Sequence, residues 1–256
     1  MRPMLLWTFP VAVWLLAFLV FLAITAVRGV PRTARLATLP RSPYLPRVVL
    51  EFGYWMLDAP ANACVRLGVT PNAITTLSLL LSLLGAIALG LGHFFAGGWL
   101  LLVGFMCDAW DGIVARKTNT ASIAGEFYDA TVDRYSDLFA FFGLLYYYRD
   151  DAAPWLLAAA ALLGSTLTSY TRAKGESVGI DPNVGSMQRH ERAVYIGGAC
   201  AIGPIVAHYT ERGLGHPRYF LVLGALALVA LSANVTAVRR ARFVLQALAR
   251  RETTGT

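Results

Sequence analysis

The chain has 256 residues, of which 57% are hydrophobic and only 14% charged, and its mean hydropathy is +0.56. A soluble domain is about 45–50% apolar and about 25% charged, so this composition excludes an ordinary water-soluble fold and equally a charge-rich disordered chain. Cys64, Cys107 and Cys200 lie far apart with no CxxC pair, which excludes a disulfide scaffold and a zinc ribbon. The net charge of +7 invites a nucleic-acid partner, but the basic residues cluster between apolar runs, as membrane topology requires, and no nucleic-acid partner is expected.

A transmembrane helix needs about 20 mostly apolar residues. Leu5–Val27 is the first such run. It is longer than the usual signal-peptide core of about 7–15 residues, so residues 1–29 read as an uncleaved anchor. Residues 30–67 read as a basic linker followed by a helix. Val30–Pro46 is rich in Pro and Arg, and Arg47–Leu67 mixes Glu51, Asp58 and Arg66 with Phe52, Tyr54, Trp55, Met56 and Leu57. That second segment is either an amphipathic helix in the membrane surface or a connecting helix packed on the bundle. Further runs follow at Asn72–Gly92, Phe94–Cys107, Phe127–Tyr148, Pro154–Tyr170, Ala193–His208 and Tyr219–Val238, and residues 239–256 form a basic tail. The segments have helical length and lack the alternation of a β-barrel, so the expected fold is an all-α polytopic membrane bundle with seven crossings.

Lys and Arg orient it. In a seven-span arrangement with the N-terminus outside, 17 of the 22 basic residues fall on one side, which the positive-inside rule makes cytoplasmic.

One stretch breaks the apolar pattern: Cys107–Asp137, CDAWDGIVARKTNTASIAGEFYDATVDRYSD. Ionisable groups at membrane depth are costly and mark function. Asp108 and Asp111 are three apart; Asp129, Asp133 and Asp137 step by four, so each set shares one helical face. Like charges one turn apart repel and call for a cation between them, and carboxylate oxygens suit Mg²⁺ or Mn²⁺. Two such helices facing each other would form a shared two-metal site able to hold phosphates. Gly112 allows close ligand approach, Gly125 opens space one turn before Asp129, and Arg116 offers a partner for carboxylate or phosphate. Asp137 reads as an ion-pair partner of Arg134 rather than as a metal ligand.

The pattern Asp108-x2-Asp111-Gly112-x2-Ala115-Arg116-x8-Gly125-x3-Asp129-x3-Asp133 resembles the signature of the CDP-alcohol phosphotransferases at all eight fixed positions. Gly68-Val69-Thr70-Pro71-Asn72 resembles that family's lead-in to its first core helix. The resemblance implies a six-helix catalytic core over residues 68–238, with the N-terminal span as an addition. It implies transfer of a phosphatidyl group from CDP-diacylglycerol to a small alcohol, with release of CMP, in a homodimer embedded among membrane lipids. It assigns Asp108, Asp111, Asp129 and Asp133 to a pair of Mg²⁺ or Mn²⁺ ions. It makes Asp133 also the general base, and Gly112, Ala115, Arg116 and Gly125 the nucleotide site.

The acceptor side rests on a later segment. Ser169-Tyr170-Thr171-Arg172-Ala173-Lys174-Gly175-Glu176 and Arg189-His190-Glu191-Arg192 lie at the ends of two spans on the cytoplasmic side. Arg172, Lys174, Arg189 and Arg192 are candidates for binding the phosphate of a phosphorylated alcohol. The segment resembles the phosphatidylinositol-phosphate synthase branch, departing from it at Lys174 and Gly175. Inositol phosphate is therefore the first expectation for the acceptor and glycerol 3-phosphate the second.

Two other readings are weaker. An intramembrane Mg²⁺-dependent prenyltransferase would carry two Asp-rich motifs far apart in the chain, whereas here the carboxylates form one block. A cation transporter would spread carboxylates over several spans and show inverted repeats, and no repeat is seen.

Overall fold

The computed structural model describes residues 2–28, 47–213 and 216–254. These contain eight helices and no strand: α1 (Arg2–Arg28), α2 (Arg47–Arg66), α3 (Pro71–Gly90), α4 (Phe94–Lys117), α5 (Ile123–Tyr147), α6 (Ala152–Ser177), α7 (Arg189–Thr210) and α8 (Phe220–Thr254). The Pro- and Arg-rich linker read at Val30–Pro46 lies outside the described residues.

Six of these helices, α1, α3, α4, α6, α7 and α8, are long and apolar enough to cross a membrane. The chain is a multi-pass membrane protein. The expected seventh crossing, α5, has the length at 25 residues but not the composition, because it carries Glu126, Asp129, Asp133, Arg134 and Asp137. Its three aspartates, Asp129, Asp133 and Asp137, are half-buried in the bundle, while Glu126 and Arg134 are exposed.

Local signals set the helix ends. Thr70 caps α3 by accepting from the Ala73 amide, and Pro71 supplies a fitting first residue with no amide hydrogen to satisfy. Gly92, at φ +84°, lets the chain reverse between α3 and α4. Ser122 caps α5 by accepting from the Gly125 amide at 3.1 Å. At the start of α7, Glu191 reaches back and accepts from the Gln188 amide at 2.6 Å.

The last six helices close into a ring. α3 packs on α4, α4 on α7, α7 on α8, α8 on α6, α6 on α5, and α5 on α3. Glycines let neighbouring backbones approach: a Cβ at Gly98 would lie 2.1 Å from Ala201 N across α4 and α7, and one at Gly143 would lie 2.4 Å from Ala86 O across α3 and α5. Polar side chains join α6 to α8, where Asn234 Nδ2 donates to Ala160 O at 2.9 Å and Thr168 Oγ1 to Ala233 O at 2.8 Å. Hydrocarbon offers no hydrophobic drive between helices, so close packing and these bonds carry the association.

α1 and α2 lie outside the ring. Phe21 of α1 is fully buried against Phe52 and Trp55 of α2, and Trp14 meets both Phe52 and Trp99 of α4. Leu15, Leu16 and Leu19, on the rest of α1, are exposed, as a lipid-facing surface requires. α2 packs on α4 through Ala61, Cys64 and Val65 against Trp110, Ile113 and Val114. Lys117 Nζ donates to both Asp58 Oδ1 and Asn62 Oδ1 at 2.7 Å.

α8 is 35 residues long, about 52 Å at 1.5 Å per residue, which exceeds a hydrocarbon core of about 30 Å. The helix runs on through the basic residues 239–251. Arg240 is buried, donating to Thr168 O at 2.9 Å and Val184 O at 3.0 Å, and Arg251 donates to Val178 O and Gly179 O.

Candidate active site

The ring brings the acidic faces of α4 and α5 together at one end of the bundle. One carboxylate oxygen each from Asp108, Asp111 and Asp129 all lie within 4.8 Å of one another. Asp111 is buried, and Asp108 and Asp129 are half-buried. Three negative groups this close repel strongly in a poorly solvated setting. Among the described residues, none donates a hydrogen bond to the buried Oδ1 of Asp108. A cluster of hard oxygen donors with an unmet acceptor fits a divalent cation such as Mg²⁺ or Mn²⁺.

Asp133 lies outside that trio and faces Arg189 at the start of α7. Arg189 Nη1 donates to Asp108 Oδ2 at 2.7 Å, Nη2 lies 2.9 Å from Asp133 Oδ1, and Nε lies 3.3 Å from Asp137 Oδ1. Arg192 is buried one turn further and reaches Asp137 Oδ2 at 3.4 Å, Met187 O at 3.3 Å and Ser169 Oγ at 3.5 Å. The pairing of Asp137 with Arg134 expected from their spacing is not formed: Asp137 pairs with the two α7 arginines, and Arg134 reaches Asp133 at 3.9 Å. Two arginines brought in by α7 take the place of the local one.

The small residues of the motif keep the surface around the carboxylates open. A Cβ on Gly112 would lie 3.3 Å from Arg116 Nη1, and one on Gly125 would lie 3.2 Å from Ser122 Oγ. Ala115 is half-buried and Arg116 exposed. Of the four basic acceptor candidates, Arg189 and Arg192 are drawn onto the acidic helices. Arg172 pairs instead with Glu176 of its own helix at 2.8 Å, and Lys174 is exposed in the last turn of α6.

Two features escape a motif reading. Thr75 on α3 is buried, and its hydroxyl donates to Asp111 Oδ2 at 2.5 Å. Ser78, Ser82 and Ser136 line a cavity that also touches Asp108, Arg189 and Arg192. The signal for α3 was present in the sequence: Thr75, Ser78 and Ser82 stand at positions i, i+3 and i+7 on an otherwise apolar span, a polar stripe on one helical face.

The family model for CDP-alcohol phosphatidyltransferases matches residues 68–231, well over half of the chain. The chain belongs to this family. It is therefore a metal-dependent transferase of phospholipid biosynthesis that works in the membrane. Among curated relatives, the phosphatidylinositol phosphate synthase of Cutibacterium acnes is 33% identical over 197 residues, covering 73% of this chain and 93% of that protein. The archaetidylinositol phosphate synthase of Pyrococcus horikoshii is 35% identical over 141 residues, covering 55% of this chain and 73% of the relative. Among solved structures, the Mycobacterium tuberculosis phosphatidylinositol phosphate synthase with CDP-DAG bound superposes with a TM-score of 0.63 at 26% identity, over 73% of this chain and 92% of that one. The same enzyme in complex with manganese and citrate gives 0.64, over 74% and 88%.

Proposed function

We propose that this transferase moves a phosphatidyl group from CDP-diacylglycerol to a hydroxyl of inositol phosphate and releases CMP. Glycerol 3-phosphate is the second candidate acceptor. The convergence of Asp108, Asp111 and Asp129 beside Arg189 carries the reading. The relatives named as phosphatidylinositol phosphate synthases support the choice of acceptor.

Asp108, Asp111 and Asp129 hold the divalent metal, with Asp133 beside them completing a site for two Mg²⁺ or Mn²⁺ ions. The bound metal supplies positive charge at the pyrophosphate, which makes CMP a better leaving group. Gly112, Ala115, Arg116 and Gly125 receive the cytidine nucleotide. Asp133 accepts the proton of the attacking hydroxyl while the new P–O bond forms and the bond to CMP breaks. Arg172, Lys174 and Arg189 meet the acceptor phosphate. Arg192, the fourth basic candidate for that phosphate, is buried behind Arg189 and shares Asp137 with it. The active site opens to the cytoplasm and the enzyme works as a homodimer; the basic residues at this end of the bundle support the orientation.

The test is CMP release by the purified protein in lipid nanodiscs, with CDP-diacylglycerol, Mg²⁺ or Mn²⁺, and a panel of inositol phosphate, glycerol 3-phosphate, inositol, serine and choline. Release with inositol phosphate alone is the expected result. Release with another member of the panel would reassign the acceptor.

A further inference from the structure

We propose that Thr75 is a positioning residue for the acidic site: its hydroxyl fixes the carboxylate of Asp111 in the orientation from which it meets a divalent cation. The proposal rests on the metal role assigned to Asp111 above and adds a residue of α3 that the Asp-rich motif does not contain.

Thr75 is 2% exposed and Asp111 is 5% exposed, so water competes little for either group. The threonine has one hydroxyl hydrogen and two acceptors in reach: Pro71 O at 3.1 Å on its own helix, and Asp111 Oδ2 at 2.5 Å across the α3–α4 contact. The shorter contact and the carboxylate charge assign the hydrogen to Asp111. The terminal torsion of an aspartate is broad, so a carboxylate without a directional partner turns with little resistance. A donor on one oxygen sets its plane. The β-branched threonine is itself stiff at χ1, and it is carried by a helix locked against α4. That lock is visible about two turns deeper, where a Cβ on Gly104 would lie 3.1 Å from Ser82 Oγ and 3.2 Å from Ser78 O.

The next residue ties α3 to the other acidic helix: Thr76 Oγ1 lies 2.9 Å from the hydroxyl of Tyr128 on α5. Hydrogen-bond partners behind metal ligands typically contribute about 10–100-fold in metal affinity.

The experiment is a Mn²⁺ titration of the purified full chain in nanodiscs, with free Mn²⁺ read by electron paramagnetic resonance. Thr75→Val keeps the shape and removes the hydroxyl, Thr75→Ala is a second hydroxyl-free variant should valine fail to fold, and Thr75→Ser keeps the hydroxyl. The hydroxyl-free variants are expected to raise the Mn²⁺ Kd about tenfold or more, with Thr75→Ser within about twofold of the parent. Added to Asp111→Asn, Thr75→Val is expected to cause no further loss. Parent-like affinity in the hydroxyl-free variants, or an equal loss in Thr75→Ser, would overturn the positioning role while leaving the metal site standing. Parent-like affinity in Asp111→Asn would instead overturn the metal role of Asp111, and this proposal with it.

Discussion

Arg189 Nη1 lies 2.7 Å from Asp108 Oδ2, and the same guanidinium lies 2.9 Å from Asp133 Oδ1, so one side chain at the start of α7 joins the two acidic helices. Removing it leaves carboxylates of α4 and α5 facing one another without that counter-charge. Breaking a buried ion pair costs about 3–5 kcal/mol, and partial exposure of Arg189 lowers the expected figure for Arg189→Ala to about 2 kcal/mol. Thermal unfolding in nanodiscs measures this. Arg189→Lys is expected to restore little, because a point charge cannot fork between two carboxylates as a guanidinium does.

Asp133 lies outside the carboxylate trio and, like Asp108, meets Arg189; the base role proposed for it makes a separate prediction. Asp133→Asn is expected to lower CMP release about 10²–10⁴-fold, the usual contribution of a positioned base, while metal-dependent binding of CDP-diacylglycerol stays close to normal. Asp108→Ala and Asp129→Ala are expected to weaken that binding as well. Retention of near-normal turnover in Asp133→Asn would remove the base assignment.

Chelation gives a separate check on the carboxylate trio. With the metal stripped by EDTA, CMP release is expected to vanish, and Mg²⁺ or Mn²⁺ added in excess is expected to restore it. In Asp111→Asn the added metal required for half-maximal recovery should rise, since one hard oxygen donor loses its charge.

Much of this site was legible in the sequence because its information is local. The i, i+3 and i, i+4 spacing of the aspartates fixes which face of α4 and α5 they occupy, and the Thr70-Pro71-Asn72 lead-in marks the start of α3, whereas the start of α5 at Ser122 lies ahead of the apolar run read from Phe127. The partners of those aspartates were not legible. Asp137 and Arg134 stand three apart, a separation that allows a pair on one helix, yet Asp137 meets Arg189 and Arg192, more than fifty residues away. That choice depends on how α7 packs against the ring, which no local pattern encodes. The same holds for Arg192: its sequence setting suits a phosphate-binding arginine at a helix end, whereas the packed bundle buries it against Asp137, Met187 O and Ser169.

Glycines of the ring separate packing from propensity. A Cβ on Gly98 would lie 2.1 Å from the backbone nitrogen of Ala201, so Gly98→Ala must push α4 and α7 apart; a loss of about 1–3 kcal/mol is expected, typical of overpacking. At Gly198, among the described residues, nothing beyond its own turn of helix lies within 4 Å of the same position. Gly198→Ala is therefore expected to be neutral or to stabilise by up to about 1 kcal/mol through helix propensity. Melting temperatures of the two variants, measured side by side, should move in opposite directions or at least differ clearly in size.

Glu211 tests whether the far end of the bundle is coupled to the chemistry. It is buried, and its carboxylate accepts from the amides of Arg218 at 2.6 Å, Tyr219 at 3.0 Å and Phe220 at 2.8 Å. Three amides at the start of α8 thus converge on one side chain that follows the end of α7, and its negative charge complements the positive end of the α8 dipole. Tyr147 and Tyr148 close the same region by donating to Pro217 O at 2.6 Å and Arg218 O at 2.8 Å. Glu211→Ala leaves those amides without their acceptor, and each buried donor so abandoned costs about 1–3 kcal/mol. A large drop in melting temperature is expected. The 22 residues of α7 separate Glu211 from Arg189 by about 33 Å, so the folded fraction should release CMP at the parent rate. A fall in rate per folded molecule that exceeds the loss of folded protein would instead show that the α7–α8 turn governs the position of Arg189 at the other end of the helix.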